Sequence, residues 1–196
     1  MEADVPESGY RRKKQPELVH RALLDHAAKL AVEHGLAAVT VQAVAEAAGV
    51  TKGGLLHHFP SKQALINAVF ADLLEALDCQ LDAKIAADPE PRGAFTRAYL
   101  DSVFDIEPEG NAAVWAALAI SMLTDPPLRQ LWANWVQDRQ ERHRATDGTL
   151  ALAAIRLAAD GIWLADLTSV TVESRAAMRD FLVRQTQTEA GTLRAG

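Results

Sequence analysis

Two short helical patterns joined by a single glycine, residues 40–62, constrain this 196-residue chain more than any other feature. Thr40 opens the first as an N-cap, and Val41, Val44, Ala45 and Ala48 follow at i, i+3, i+4 and i+7, one apolar face. Gly49 stands where the chain must turn sharply, a position suited to positive φ. Thr51 caps the second pattern, whose Leu55 and Phe59 face inward at i, i+4. Pro60 stops it and Ser61 caps the next helix. This is the layout of a helix-turn-helix, which lays its second short helix in the DNA major groove.

The second helix has the wrong chemistry for a purely structural element. Gly53 and Gly54 each cost about 1 kcal/mol relative to Ala in a helix interior. Small residues, however, permit close approach of the backbone to a partner. Around them stand Lys52, His57, His58 and Lys62, all able to donate to phosphates or base edges. Thr40 and Thr51 offer phosphate contacts beside their capping work. Val50 and Phe59 hold the motif together. The competing reading is a glycine loop between two ordinary helices with solvated charges.

The segment from Leu23 to Leu65 resembles the N-terminal domain of the tetracycline-repressor (TetR) family. The match runs through Leu23-Leu24-Asp25, Ala27, Gly35, Thr40-Val41, Val44-Ala45, Ala48-Gly49-Val50-Thr51-Lys52-Gly53, Leu55, His58-Phe59, Ser61-Lys62 and Ala64-Leu65. The resemblance implies an all-helical homodimer whose N-terminal domains read a near-palindromic operator in double-stranded DNA. It also implies C-terminal domains that bind a small ligand and thereby release DNA. The chain is then expected to be a transcriptional regulator, read first as a repressor, with repressor or activator set by where the operator lies relative to a promoter. One departure stands out: the family commonly has an aromatic, often Tyr, where this chain has Leu56. Leu56 cannot bond a phosphate, and His57 beside it takes over that work.

Net charge is −6, which alone argues against nucleic acid, but the charges are unevenly spread. Residues 9–62 carry eight Lys/Arg against four Asp/Glu, and residues 63–196 carry twelve against nineteen. A basic N-terminal part on an acidic body binds phosphates locally while the body limits non-specific sticking. Cys79 is the single cysteine and cannot form an intrachain disulfide, which fits a reducing, cytoplasmic setting. In its helical run it reads as a small core hydrophobe. No signal peptide is visible at the acidic start, and the most apolar stretch, about 149–170, contains Arg156, Asp160 and Asp166, too polar for a bilayer span.

The fold expectation is all-α, with no convincing strand pattern. Residues 1–15 read as a tail ending in the basic run Arg11-Arg12-Lys13-Lys14, which can serve as an arm on DNA. Residues 16–62 read as a three-helix DNA-binding domain, its first helix spanning about Glu17 to His34 with Gly35 as the stop. Residues 63–196 read as a helical ligand-binding and dimerisation domain. A long helix from Lys62 to Ala87 leads into it. Further helices are expected at about 91–104, 111–123, from 126, at 149–170 and at 174–187. They are separated by Glu107-Pro108-Glu109-Gly110, Asp125-Pro126-Pro127 and Asp147-Gly148. In the last helix Ala177, Met178, Phe181 and Leu182 are expected inward.

The histidines lack ligand spacing, so neither a metal nor a cofactor is expected. No phosphate-binding loop, nucleophile elbow or zinc-protease motif is present, so no enzyme is expected. Eight of the eleven aromatic residues lie from Phe95 onward. Most serve the core, and Phe104, Trp115, Met122 and Trp163 are the candidate lining of an apolar ligand pocket. Asp160 sits in an otherwise apolar helix and needs a partner or a ligand, with Arg156 one turn earlier the expected partner. The last two helices are expected to pair with their copies in a homodimer. The alternative from another class is a helical ligand- or partner-binding module that does not touch DNA.

Overall fold

The computed structural model describes residues 8–105 and 111–187, with side chains from residue 16 in the first stretch and from 113 in the second. The basic run Arg11–Lys14, the break at Glu107–Gly110 and the chain after Gln187 lie outside the described side chains. Among the described residues there are ten α-helices and no strand. They are α1 (Ser8–His34), α2 (Val41–Ala47), α3 (Lys52–His58), α4 (Lys62–Ala87), α5 (Ala94–Phe104), α6 (Asn111–Thr124), α7 (Pro126–Arg142), α8 (Arg144–Asp147), α9 (Leu150–Leu167) and α10 (Arg175–Gln187). A 3-10 turn, Leu36–Ala38, follows α1.

The all-α expectation holds, with two local corrections. Helix α1 starts at Ser8 rather than Glu17 and carries Pro16 inside it. Strong helix formers on its N-terminal side, Arg11 to Gln15, favour continuation across a proline that removes one hydrogen bond. Helix α8 was not expected. It forms where the His143 carbonyl accepts from the Asp147 amide at 2.8 Å and the Arg144 carbonyl accepts from the Gly148 amide at 3.0 Å.

Two compact units divide the chain: Met1–Leu73 with Ala113–Arg129, and Leu74–Ala112 with Gln130–Gly196. In the first, α1, α2 and α3 pack around Leu23, Val44, Leu55 and Leu65, each fully buried. Phe70 meets Trp115 edge-on with centroids 5.9 Å apart. Gln63, in the first turn of α4, donates to Asp125, whose other carboxylate oxygen accepts from the amide of Leu128 at the start of α7.

In the second unit, α5 packs against α9, and α10 lies on both. Its core includes Leu81, Phe95, Leu100, Leu152, Ala159 and Leu182. Two buried arginines are fully engaged. Arg139, 1% exposed, pairs with Asp78 and Asp82, and Trp135 Nε1 donates to the same Asp78 at 2.7 Å. Arg97 pairs with Asp88 at 2.7 Å and donates to the Arg92 carbonyl and to Thr186 Oγ1. The chain passes Arg97 closely enough to require glycine: Gly93 has φ +77°, and a Cβ there would lie 2.9 Å from Arg97 Nη1.

Apolar side chains expected inward on the last helix divide. Leu182 is buried, whereas Ala177, Met178 and Phe181 are exposed. Their apolar spacing marks a face, and in the single chain that face points outward. Cys79 is likewise exposed rather than a core residue. Among the described residues no helix is long and apolar enough to cross a membrane.

Candidate nucleic-acid interface

The caps read from the sequence are formed. Thr40 Oγ1 accepts from the Ala43 amide at 3.1 Å, Thr51 Oγ1 from the Gly54 amide at 3.0 Å and Ser61 Oγ from the Ala64 amide at 3.0 Å. Each satisfies an amide that its helix leaves without a partner. Gly49 makes the turn at φ +67°, a conformation most side chains resist. Leu55 and Phe59, 0% and 4% exposed, anchor α3 to the unit.

With that face buried, the opposite face of α3 is set by helical periodicity. Lys52, Gly53, Leu56 and His57 are all exposed and fall at i, i+1, i+4 and i+5. A Cβ on Gly53 would meet only Thr51 Oγ1, at 4.0 Å, so this turn of helix presents bare backbone outward. Gly54 is half-buried, and a Cβ there would stand 3.3 Å from the same hydroxyl. Thr40 and Thr51 accept through their oxygens, which leaves each hydroxyl proton available to an outside acceptor.

The two histidines diverge. His57 is exposed, whereas His58 is half-buried, with its ring 5.9 Å from that of His20 on α1. Burial, then the neighbouring His20 and His57, hold the His58 imidazole below its ordinary pKa, so it favours the neutral form. Lys62 has a structural task that the sequence did not reveal. Its ammonium donates to the carbonyls of Leu36 and Ala37, both at 3.3 Å, tying α4 to the 3-10 turn. An ammonium has three donors, so one remains free.

The five expected pocket residues do not fall in one unit. Trp115 and Met122 belong to the first, where Trp115 meets Phe70 and Met122 is 8% exposed. Phe104, Asp160 and Trp163 belong to the second, with Phe104 and Trp163 partly buried against its core. Asp160 does not pair with Arg156 as expected. Tyr99 donates its hydroxyl to Asp160 Oδ1 at 2.6 Å, whereas Arg156 Nη1 turns to Thr96 Oγ1 at 2.6 Å. A one-turn spacing permits a pair, but the contacts of the packed α5 decide it. Burial raises the Asp160 pKa, against the opposing pull of the Tyr99 hydrogen bond and the Arg156 charge. The Tyr99 ring lies 6.5 Å from that of Trp135, which stacks on Trp132 at 5.2 Å. Tyr99 and Trp135 were not singled out from the sequence, because nothing local links them to Asp160. The Arg175 guanidinium covers the Phe104 ring at 4.8 Å.

A capped helix pair presenting one short open helix, on an all-helical chain, defines a helix-turn-helix protein. Comparison with known proteins supports that class and narrows it. Residues 23–69 match the model for bacterial regulatory proteins of the tetR family, and residues 93–187 match that for the tetracyclin repressor-like C-terminal domain. The HTH-type transcriptional regulator BetI of Pseudomonas paraeruginosa is 28% identical over 190 residues, covering 88% of this chain and 96% of that protein. The regulator BetI 2 of Chromohalobacter salexigens is 31% identical over 161 residues, covering 76% and 77%. Among solved structures, the multidrug binding protein EbrR complexed with malachite green shares the fold at a TM-score of 0.69 and 21% identity, covering 85% of this chain and 96% of that one. The chain belongs to the TetR family and is a DNA-binding transcriptional regulator. A binding module without DNA leaves the match over residues 23–69 unexplained.

Proposed function

We propose that this protein is a repressor that holds a near-palindromic operator as a homodimer and releases it when a small molecule binds. Residues 16–62 read the DNA, and the chain from residue 63 carries effector binding and dimerisation. The carrying observation is the open face of α3. Lys52 and the bare backbone at Gly53 and Gly54 approach base edges, while Thr40, Thr51, His57, His58 and Lys62 hold phosphates or base edges. Leu56, exposed on the same face, suits the methyl group of a thymine.

The effector reading is a small, largely apolar aromatic cation. Asp160 has the Tyr99 hydroxyl as its one hydrogen-bond partner among the described residues, and Tyr99, Trp135, Phe104 and Trp163 supply rings in the same unit. EbrR, in its complex with malachite green, takes a ligand of this kind. Such a ligand releases DNA only if it favours the DNA-incompetent state. A coupling of about 1–3 kcal/mol weakens operator binding about 5–150-fold.

Selection of bound sequences from random double-stranded DNA tests the DNA half and reads out the operator. Recovery of no enriched two-fold motif sinks it. On the selected operator, malachite green is expected to weaken binding and to quench tryptophan fluorescence, with both effects reduced in Asp160→Asn. Lys62 has its own test. Lys62→Met is expected to weaken all sequences about equally and to make the salt slope shallower by about one per monomer. An unchanged slope with a lowered Tm assigns Lys62 wholly to the Leu36 and Ala37 carbonyls.

A further inference from the structure

Arg156 is the one buried arginine of the second unit whose charge is not met by a carboxylate within ion-pair distance among the described residues. It is 9% exposed and lies on α9 against the Phe95 ring, 5.4 Å from its centroid. Nη1 donates to Thr96 Oγ1 at 2.6 Å and to the Asp147 carbonyl at 3.3 Å. The Asp147 carboxylate makes no direct bond to Arg156. Its Oδ1 accepts from the Thr96 amide and hydroxyl at 2.8 and 2.7 Å, and its Oδ2 accepts from Thr146 Oγ1 at 2.8 Å. Arg156 therefore reaches that charge only through the Thr96 hydroxyl.

The other side of the guanidinium is unused. Nε is buried without a partner, and Nη2 makes no hydrogen bond among the described residues. A buried donor left unmade costs about 1–3 kcal/mol, more when the group is charged. The contrast with Arg139 and Arg97, both held by carboxylates in the same unit, is direct. Arg156 also lines a cavity of about 520 Å³ that lies wholly within this unit, with Phe95, Ala153, Gln137, Gln140 and Asp138 among its walls. That volume is in the range of small-molecule sites.

We propose that this cavity binds a small monocarboxylate, with the Nε–Nη2 side of Arg156 as its anchor. That side of a guanidinium matches the two oxygens of a carboxylate. Nε is sealed beneath the surface, so a ligand oxygen meets Nη2 first and reaches Nε after a small side-chain shift. The walls favour a single negative charge over a phosphate. Asp138, Glu141 and Asp147 also line the cavity; Asp147 is held by Thr96 and Thr146, and Arg144, the second cation, lies 3.6 Å from Glu141. Arg156 is left for one anionic group, with the Phe95 ring and Ala153 beside it for an apolar body. This site shares no residue with the DNA-reading face or the Asp160 region, so it stands or falls apart from the proposed function.

The test is calorimetry and thermal unfolding of the full chain, without DNA, at fixed ionic strength. The probes are the straight-chain monocarboxylates from acetate to octanoate, benzoate, its neutral isostere benzamide, and inorganic phosphate. We expect saturable binding of at least one carboxylate with a rise in Tm, no response to benzamide, and at least about tenfold weaker binding in Arg156→Gln. Ala153→Phe, which fills the cavity and leaves the guanidinium intact, is expected to abolish binding and keeps the test decisive if Arg156→Gln fails to fold. The proposal is overturned if no carboxylate of the series binds, if benzamide or phosphate binds as well, or if binding survives in Ala153→Phe.

Discussion

Gly53→Leu is expected to abolish operator recognition while leaving the protein at least as stable as the wild type. The two effects have opposite signs because they arise on opposite sides of the same helix. In the free protein the new Cβ meets only Thr51 Oγ1 at 4.0 Å, so the side chain projects into solvent without a clash. Removing a helix glycine favours the folded state by up to about 1 kcal/mol. In the complex the leucine occupies the space through which the backbone of α3 approaches the groove. Specific affinity then falls toward the non-specific level, about a thousandfold or more, while salt-dependent sticking persists. Gly54→Leu is the less clean probe, because a Cβ there stands 3.3 Å from the Thr51 hydroxyl that caps the helix. Melting curves and gel shifts on the selected operator check both arms. Wild-type operator affinity in Gly53→Leu excludes α3 as the helix that enters the groove.

What the sequence revealed and what it hid follow from the range of the forces involved. The caps at Thr40, Thr51 and Ser61, the turn at Gly49 and both ends of α4 were legible because each is decided within a few residues. The 3-10 turn and α8 escaped because three or four residues contain no period to detect. The start of α1 escaped because a proline reads as a boundary, whereas here it is carried inside the helix. Side-chain partners were the least legible. Lys62 reaches carbonyls 25 and 26 residues away, and Tyr99 finds Asp160 across 61 residues. At the candidate interface Leu55 and Phe59 fix which face of α3 is buried, so Lys52, Gly53 and His57 stand outward, whereas Gly54 and His58 are half-buried and Leu56, discounted as a phosphate partner, is exposed beside them. The effector residues were chosen from the aromatic-rich C-terminal half, the family resemblance and, for Asp160, a polar position in an apolar helix, none of which fixes a shared pocket, and they fall in two different units.

The apolar face left exposed in the second unit carries the last prediction. On α9, Leu150, Ala154, Leu157, Gly161 and Leu164 recur at alternating intervals of four and three, the spacing of a helix–helix seam. All five are exposed, with Leu150 at 87%, Leu157 at 70% and Leu164 at 52%. Met178 at 40% and Phe181 at 49% add a matching face on α10. A single chain gains nothing from such a seam, nor from a mid-helix glycine whose Cβ would meet no atom within 4 Å. A second copy gains from both: the leucines are buried, and Gly161 lets two backbones come close. We therefore expect a two-fold dimer through α9 and α10. Leu157→Glu places two unpaired carboxylates in that contact and is expected to give a folded monomer at micromolar concentration. Ala158→Glu is a less specific probe, since Ala158 is half-buried against the protomer's own core and a charge there is expected to lower stability as well. A monomer engages one half-site at a time, so operator affinity should fall about 100-fold or more as the second contact ceases to be intramolecular. Sedimentation and operator titration on the same sample check this. A wild type that sediments as a monomer, or a Leu157→Glu dimer with undiminished operator affinity, removes α9 from the interface.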